Sequence, residues 1–482
     1  MPITCIRLIV ACAAVLLGAP PTDAQALDVY RTHKLVSDNP ATPMLKNTSC
    51  IPEMVDRPIG LEDVILQAIC ANPNTRRAWA NARVRAAAVG IGEAAYLPTL
   101  NATVGYETDM QQTSYDIPGY GAYTAPTQRT STKYGMLTLS LVLFDFGKRG
   151  AALRQARQLL AAANAAQDDA LQTVFFNAAQ CYYAVRDAQA SVDAALQSEN
   201  IAKESFAEAS AKHDAGAGTL GDQLQAQTVY RRAVLDRVSA EGNVRTAIGT
   251  LAAAMGLSAN TPIRIVASDP TVNGVEFSEG VDELIDEAMA RQPILIEARA
   301  KLEAARANVD AVRAQGRPTI SLFGSLTQNN PSYQHQPLSY GSPPVSGSRG
   351  STIGVQLTIP LFEGFASGYR TTQAQAQVDA EVAEVRNIEL EVSLNVWKSY
   401  QSLHTDTENL DNSKYLLKDA QRSLDIARGR YKAGVGTFTE LLATQTALTD
   451  AQKQRLLAIS RWRTARLKLA ASLGDLELWS EK

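Results

Sequence analysis

The sequence predicts an exported chain of mixed class, long α-helices joined to membrane β-strands. Three observations carry this: an N-terminal leader, a tandem duplication of the body, and helix-like runs free of Gly and Pro that alternate with period-two segments.

The leader comes first. Arg7 precedes an apolar run from Leu8 to Ala19, and Ala24-Gln25-Ala26 then forms the small-x-small pattern of a signal peptidase site, so residues 1–26 read as a signal peptide and the mature chain starts near Leu27. Ile9-Val10-Ala11-Cys12 has the form of a lipoprotein box, but it lies right behind Arg7 and leaves little hydrophobic region ahead of a lipid. Beyond the leader no run reaches the roughly 18 to 20 apolar residues that a transmembrane helix requires. With 46 Lys and Arg against 49 Asp and Glu, mixed throughout, there is no basic face for nucleic acid and no acidic tail.

Of five cysteines, Cys5 and Cys12 leave with the leader, and Cys50, Cys70 and Cys181 remain. Three thiols cannot all pair internally. In an oxidising compartment a bridge between Cys50 and Cys70 would staple the N-terminal segment to the first helix; free thiols are the alternative, and Cys181 reads as a buried helix residue.

The duplication is visible at nearly constant spacing. Gly60-Leu61-Glu62-Asp63 answers Gly280-Val281-Asp282-Glu283, Asn72-Pro73 answers Gln292-Pro293, and Leu97-Pro98 answers Arg317-Pro318, each pair 220 apart (60 to 280, 73 to 293, 98 to 318). Leu143-Phe144-Asp145 then meets Leu361-Phe362-Glu363, Ala215-Gly216-Ala217-Gly218-Thr219 meets Ala433-Gly434-Val435-Gly436-Thr437, and Met255-Gly256 meets Leu473-Gly474, now 218 apart (144 to 362, 216 to 434, 256 to 474). One loop therefore differs by two residues between the halves.

Each half reads as two short helices, a strand pair, and two long helices joined by a glycine turn. Ala151 to Ala215 and Tyr369 to Arg428 contain neither Gly nor Pro and are rich in helix formers, with sparse apolar stripes diluted by alanine and polar residues. Helices of such length imply a coiled coil or a helical tube. Leu100, Ala102, Val104 and Tyr106 alternate with polar or small residues, as do Leu137, Leu139 and Leu141, and Ile353, Val355 and Leu357. Turn-rich segments, 111–131 and 329–351, join the strand pairs, and in an exported protein this suits a membrane barrel with long outer loops. Four strands cannot close a barrel, since the smallest have about 8, so several chains must share one.

The expected organisation is an extended segment over 27–58, a first repeat over 59–257, a linker over 258–279, a second repeat over 280–474 and a tail over 475–482. The first repeat holds strands at about 99–110 and 134–144 and long helices over 148–214 and 220–256. The second holds strands at about 318–328 and 352–362 and helices over 367–431 and 437–473.

With these features in hand, the chain resembles the TolC-like outer-membrane efflux and secretion channels over essentially its whole mature length. Its tandem halves carry the likeness, together with Leu97-Pro98 and Arg317-Pro318 ahead of strands, Leu143-Phe144-Asp145 and Pro360-Leu361-Phe362-Glu363-Gly364 at the strand-to-helix corners, and Tyr431-Lys432-Ala433-Gly434-Val435-Gly436-Thr437 at the helical turn. The resemblance implies a homotrimer in outer-membrane lipid, with a 12-stranded β-barrel continued by a 12-helix α-barrel through the periplasm. It also implies partnership with a periplasmic adaptor (membrane fusion) protein and an inner-membrane ABC or other transporter. A pair Cys50 and Cys70 ahead of Asn72-Pro73 and Trp79 looks most like the CyaE-like components of type I protein secretion.

The family's adaptor-docking tip matches Gly216, Ala217, Gly218 and Thr219, and Gly434, Val435, Gly436 and Thr437; its periplasmic gate matches Asp222, Tyr431 and Glu440. Two departures weaken the gate: Gly436 stands where the best-known member has an arginine, and Ala443 where it has a second aspartate. Polarity alternation assigns Asn101, Thr103, Gln356 and Thr358 to the barrel interior.

Gly216-Ala217-Gly218-Thr219-Leu220-Gly221 matches a dinucleotide fingerprint, but it follows a helix instead of a strand, and its partner segment lacks the third glycine. His33, His213, His335 and His404 are scattered without metal-ligand spacing, and Asp168-Asp169 reads as solvated charge on a helix surface. No cofactor, metal or catalytic group is expected. The rival reading is a trimeric coiled-coil surface protein or a periplasmic structural protein, which duplication of strand pair plus hairpin does not fit.

Overall fold

The computed structural model describes residues 28–41, 44, 50, 57–266, 280–334, 345–474 and 476. The leader, most of the 258–279 linker, most of the 475–482 tail and His335 lie outside them. In the first repeat, α1 (Leu61–Ala71) and α2 (Pro73–Ala94) precede β1 (Thr99–Gln111), a small hairpin of β2 (Ser114–Ile117) and β3 (Gly121–Thr124), β4 (Gln128–Phe144), and the long helices α3 (Lys148–Asp214) and α4 (Leu220–Ala254). The second repeat follows with α5 (Val281–Arg291), α6 (Pro293–Gln315), β5 (Thr319–Gln334), β6 (Ser348–Thr358), α7 (Ala366–Lys432) and α8 (Phe438–Leu473). Among the described residues no helix is long and apolar enough to cross a membrane.

Four of the strands form one antiparallel sheet in the order β1-β4-β5-β6, with β2 and β3 paired apart from it, so the two strand pairs of the duplication are joined by β4 and β5. Register places Asn101 beside Thr138, Ser325 and Thr352 on one face, and by the same alternation Thr103, Gln356 and Thr358 share it. Leu100, Leu139, Gly324 and Ile353 line up on the other face. Strand ends differ from the expected ones for local reasons. β6 stops at Thr358 instead of continuing to 362, because Pro360 has no N–H to give a ladder. β4 starts at Gln128, ahead of the apolar alternation, where its Thr-rich segment pairs with both Glu107–Gln111 and Asn330–Gln334. The 111–131 segment, read as a loop, carries the β2-β3 hairpin with Tyr115 opposite Tyr123.

The helices α3 and α7 each run 67 residues, about 100 Å at 1.5 Å per residue. On the sheet side the helices lie side by side as α2-α3-α6-α7, and on the far side as α4-α3-α8-α7. Alanine makes this possible: Ala162, Ala165, Ala178, Ala179 and Ala202 are buried on α3, which has helices on several sides and room for only small side chains.

The core obeys the duplication. Val64 and Ala68 on α1 pack with Val174, Ala178 and Leu251, and Leu284 and Ala288 on α5 pack with Val392, Val396 and Leu469. Full burial of each such Val or Leu side chain contributes roughly 1.5 to 3 kcal/mol. Ahead of α1, Cys50 and Cys70 are joined by a disulfide with Cα atoms 5.6 Å apart, and the segment before it is tied down by Trp79, whose Nε1 donates to the Ser37 carbonyl at 2.8 Å. Gln167 Nε2 adds bonds to Ser37 Oγ at 3.0 Å and the Pro40 carbonyl at 3.1 Å. Cys181 is half-buried on α3 and free.

Sheet and helices meet at two corners, both with left-handed backbone. Phe146 and Gly147 (φ 52° and 91°) make the first, Gly364 and Phe365 (φ 60° and 65°) the second, so Phe and Gly exchange order while the backbone path repeats. Asp145, buried at the first corner, accepts from Arg149 Nε at 2.8 Å and from the Arg149 amide at 3.0 Å, while Arg149 also reaches the Ala95 carbonyl at 3.3 Å and stacks over Tyr96. Burial alone would raise the Asp145 pKa, but the backbone and side-chain bonds from Arg149 outweigh it and hold the carboxyl below its ordinary value. The second corner has only an exposed Glu363–Arg370 pair at 3.3 Å.

A carboxyl whose folded pKa is depressed stabilises above its unfolded pKa and stops doing so as pH falls through the folded value. Asp145→Asn is therefore expected to cost about 2 kcal/mol at neutral pH, the scale of charge-assisted bonds. Thermal unfolding of parent and variant in detergent should show the gap closing once the pH falls below the ordinary carboxylate range. A gap that persists in acid would contradict this role for Asp145.

Candidate functional site

The ends of the long helices opposite the sheet hold the residues singled out in the sequence. Gly216 and Gly434 each take positive φ (72° and 75°), a region where a Cβ would strain the chain. Helix α3 closes with the Ala217 amide donating to the Lys212 carbonyl at 2.8 Å, and α7 with the Val435 amide donating to Arg430 at 3.0 Å, the wrapped ending that glycine permits. The chain then re-enters a helix at once. Thr219 Oγ1 accepts from the Asp222 amide at 3.1 Å, and Thr437 Oγ1 from the Glu440 amide at 3.2 Å, capping α4 and α8. Gly216 to Gly221 is thus a helix-to-helix turn, not a phosphate loop.

The two turns sit side by side. Ala209 and Ala226 of the first hairpin share a buried cluster with Leu424, Tyr431, Phe438, Leu441 and Leu448 of the second, and Gln445 bonds Ser205 across it. Tyr431 is only 6% exposed, its ring edge-on to Phe438 with centroids 5.7 Å apart. Burial pushes the Tyr431 hydroxyl up, and the nearby charges of Asp222 and Glu208 push it further. Glu440 faces its own hairpin, 3.5 Å from Arg430.

Two cations at this site were not singled out in the sequence. Lys212, in the last turn of α3, donates from Nζ to the Tyr431 carbonyl at 2.6 Å, and the same ammonium lies 3.6 Å from the Tyr431 ring centroid. Arg430 is its repeat counterpart, 218 positions on (212 to 430), and repeat alignment was the signal that would have found the pair. At Gly436 a Cβ would come within 3.0 Å of Arg430 Cβ and the Tyr431 amide nitrogen, so this turn is tighter than one carrying a side chain there.

Away from the tip, Asp168 and Asp169 are half-buried instead of solvated. Burial pushes both carboxyls up, and Glu297 on α6 adds to the effect at Asp169. No group of metal-ligating side chains occurs among the described residues.

Comparison with known proteins places this architecture. The model of the Outer membrane efflux protein family matches residues 64–257 and 284–475, one stretch for each repeat. Protein CyaE of Bordetella pertussis is 31% identical over 418 residues, covering 87% of this chain and 84% of its own, and Outer membrane protein TolC of Salmonella enteritidis is 22% identical over 417 residues, covering 86% and 82%. The solved outer-membrane channel OprN superposes with a TM-score of 0.73 at 20% identity, over 86% of this chain and 89% of that one. Matching in both repeats, and with long helical hairpins on paired strands, the chain belongs to the outer membrane efflux protein family: it is an outer-membrane channel protein, not an enzyme, with its long helices in the periplasm.

Proposed function

We propose that three copies of the chain close one 12-stranded barrel continued by a 12-helix tunnel, each copy giving the four strands β1-β4-β5-β6. This duct is the exit of a tripartite type I secretion or efflux system, passing protein or small-molecule cargo from an inner-membrane transporter and a periplasmic adaptor to the outside. The observation that carries the reading is a pair of unsatisfied edges. β1 and β6 each have a neighbour on one side only, and the helices at the ends of the two rows carry exposed apolar side chains, Val84, Ile91 and Leu235 on α2 and α4, Leu390, Trp397 and Ile426 on α7. Edges that differ from each other make a head-to-tail contact, which repeats until a ring closes.

Within the ring, the face bearing Asn101, Thr103, Gln356 and Thr358 lines the lumen, and the face of Leu100 and Ile353 meets lipid. Gly216, Ala217, Gly218 and Thr219, with Gly434, Val435, Gly436 and Thr437, form the adaptor-docking tip, where Val435 stands 70% exposed. Asp222, Tyr431 and Glu440 belong to the gate just inside it. Likeness to Protein CyaE and the Cys50–Cys70 disulfide favour the type I branch.

Native mass of the detergent-extracted protein is expected to show three copies, and planar bilayers small, stable openings. A protein that stays monomeric and partitions into the aqueous phase would overturn the channel assembly. Gly434→Pro cannot take φ 75° and loses the amide bond to the Tyr431 carbonyl at 3.2 Å. It is expected to abolish export while the trimer persists; normal export by a well-folded variant would remove the turn from the docking surface.

A further inference from the structure

We infer that the outward face of the sheet carries a site for the phosphates of an outer-leaflet glycolipid, built from Lys133 on β4 and Arg349 on β6, with Arg129 above them. The site rests on the proposed barrel, in which the face of Leu100 and Ile353 meets lipid. Register and alternation put all three cations on that face: Lys133 stands opposite Tyr106 and Asn330, Arg349 opposite Gln328, and Arg129 opposite Met110 and Gln334. Between Arg129 and Lys133, Thr108 and Ser131 bond across the same face at 3.2 Å. The acids of the sheet, Glu107 and Asp109, alternate to the lumen face instead. All three cations are exposed, and none has a carboxylate partner among the described residues.

Height matters as much as face. Ile320 opens the apolar band at the helix end, and the level of Lys133, marked by Asn330, lies ten residues beyond it (320 to 330). At 3.3 Å per residue and a tilt near 40° this comes to about 25 Å, the height of a barrel's apolar band. Lys133 therefore stands at the border between hydrocarbon and headgroups, beside Tyr106, which is 66% exposed as an interfacial aromatic is. Arg349 lies two residues nearer the helices and Arg129 four residues farther out. Since the long helices are periplasmic, this border belongs to the outer leaflet. A cation at the edge of hydrocarbon is costly unless an anion meets it, and lipid phosphates lie at this level. The sheet also leaves room for one. Gly135, next inward from Lys133 on the same face, has nothing within 4 Å of where a Cβ would stand, and Gln328 alone separates it from Arg349. A phosphate over this bare floor would take charge from two strands, with the Arg349 fork suited to two parallel bonds.

Native mass spectrometry of the delipidated full-length protein tests this. Diphosphorylated lipid A is the probe, its monophosphorylated and fully dephosphorylated forms are the comparisons, and inorganic phosphate is the competitor. The parent is expected to hold the diphosphorylated lipid most tightly. Lys133→Gln should weaken it about fivefold, and Lys133→Gln with Arg129→Gln and Arg349→Gln on the order of a hundredfold, the effect of one and of three cations near a charged membrane surface. Glu107→Gln with Asp109→Asn, on the lumen face, should bind as the parent does. Equal affinity for the three lipids, or undiminished affinity in the triple variant, would overturn the site. Displacement of the lipid by an equal concentration of inorganic phosphate would make it a free-phosphate site and overturn the lipid assignment. A fluorophore on Ile353→Cys in a Cys181→Ser background, read against brominated acyl chains in vesicles, separates site from face. Quenching without any preference for phosphorylated lipid would remove the cations' role alone; no quenching would overturn the lipid-facing surface itself.

Discussion

A strand edge in hydrocarbon has no water to satisfy its amides and carbonyls, and each group left bare costs several kcal/mol. The chain ends its sheet on two such edges, the 13-residue β1 and the 11-residue β6, and four strands are too few to curl round and pair them with each other. Closure by further copies is therefore the condition under which this sheet can enter a membrane at all. The same condition extends to the helices, because α2, α4 and α7, at the ends of their rows, carry apolar side chains that the single copy leaves exposed. Assembly, membrane insertion and the formation of the tunnel are one event in this reading, with little independent stability for the single copy.

Duplication supplies the ring with near-equivalent parts, and the places where equivalence fails are informative. In the core it holds position by position: Val64, Val174 and Leu251 answer Leu284, Val392 and Leu469. At the corners it holds for the backbone and fails for the charges, with a buried Asp145–Arg149 pair in one repeat and an exposed Glu363–Arg370 pair in the other. At the tip the turns match in their bonding, glycine closing one helix and threonine opening the next, yet the flanking side chains differ, Lys212, His213 and Leu220 against Arg430, Tyr431 and Phe438. Packing tolerates only a narrow range of volumes and keeps the repeats alike. Surface chemistry carries no such restraint, so the hairpins diverge where they meet each other or a partner.

Much of this was legible beforehand, for reasons that also explain what was not. The long helices announce themselves because a 67-residue segment without an interior Gly or Pro break has few other fates, and the turns because Gly216 and Gly434 take positive φ at a helix end. In α7, Gly368 and Gly429 fall within a turn or so of the ends, outside the long uninterrupted interior. The β2-β3 hairpin was hidden because tyrosines, prolines and glycines in a polar segment look the same in a loop and in a short exposed ribbon. Asp168 and Asp169 were read as solvated because nothing local reveals that α6 lies against that part of α3. Lys212 was passed over because a lysine in the last turn of a helix is ordinary, answering the helix dipole wherever it occurs.

The glycine at 436 and the lysine at 212 are linked by space. A Cβ at Gly436 would sit 3.0 Å from the Tyr431 amide nitrogen and from Arg430 Cβ, so a side chain there would push the turn away from the end of α7. With glycine, the Gly436 amide folds back to the Arg430 carbonyl at 3.1 Å and the Gly434 amide to the Tyr431 carbonyl at 3.2 Å. That carbonyl still has a second lone pair, and it faces the neighbouring hairpin. The Lys212 ammonium meets that carbonyl and the face of the Tyr431 ring from one position. The tight turn and the lysine therefore belong to one arrangement: glycine at 436 permits the close turn, and the close turn presents the acceptor that Lys212 takes.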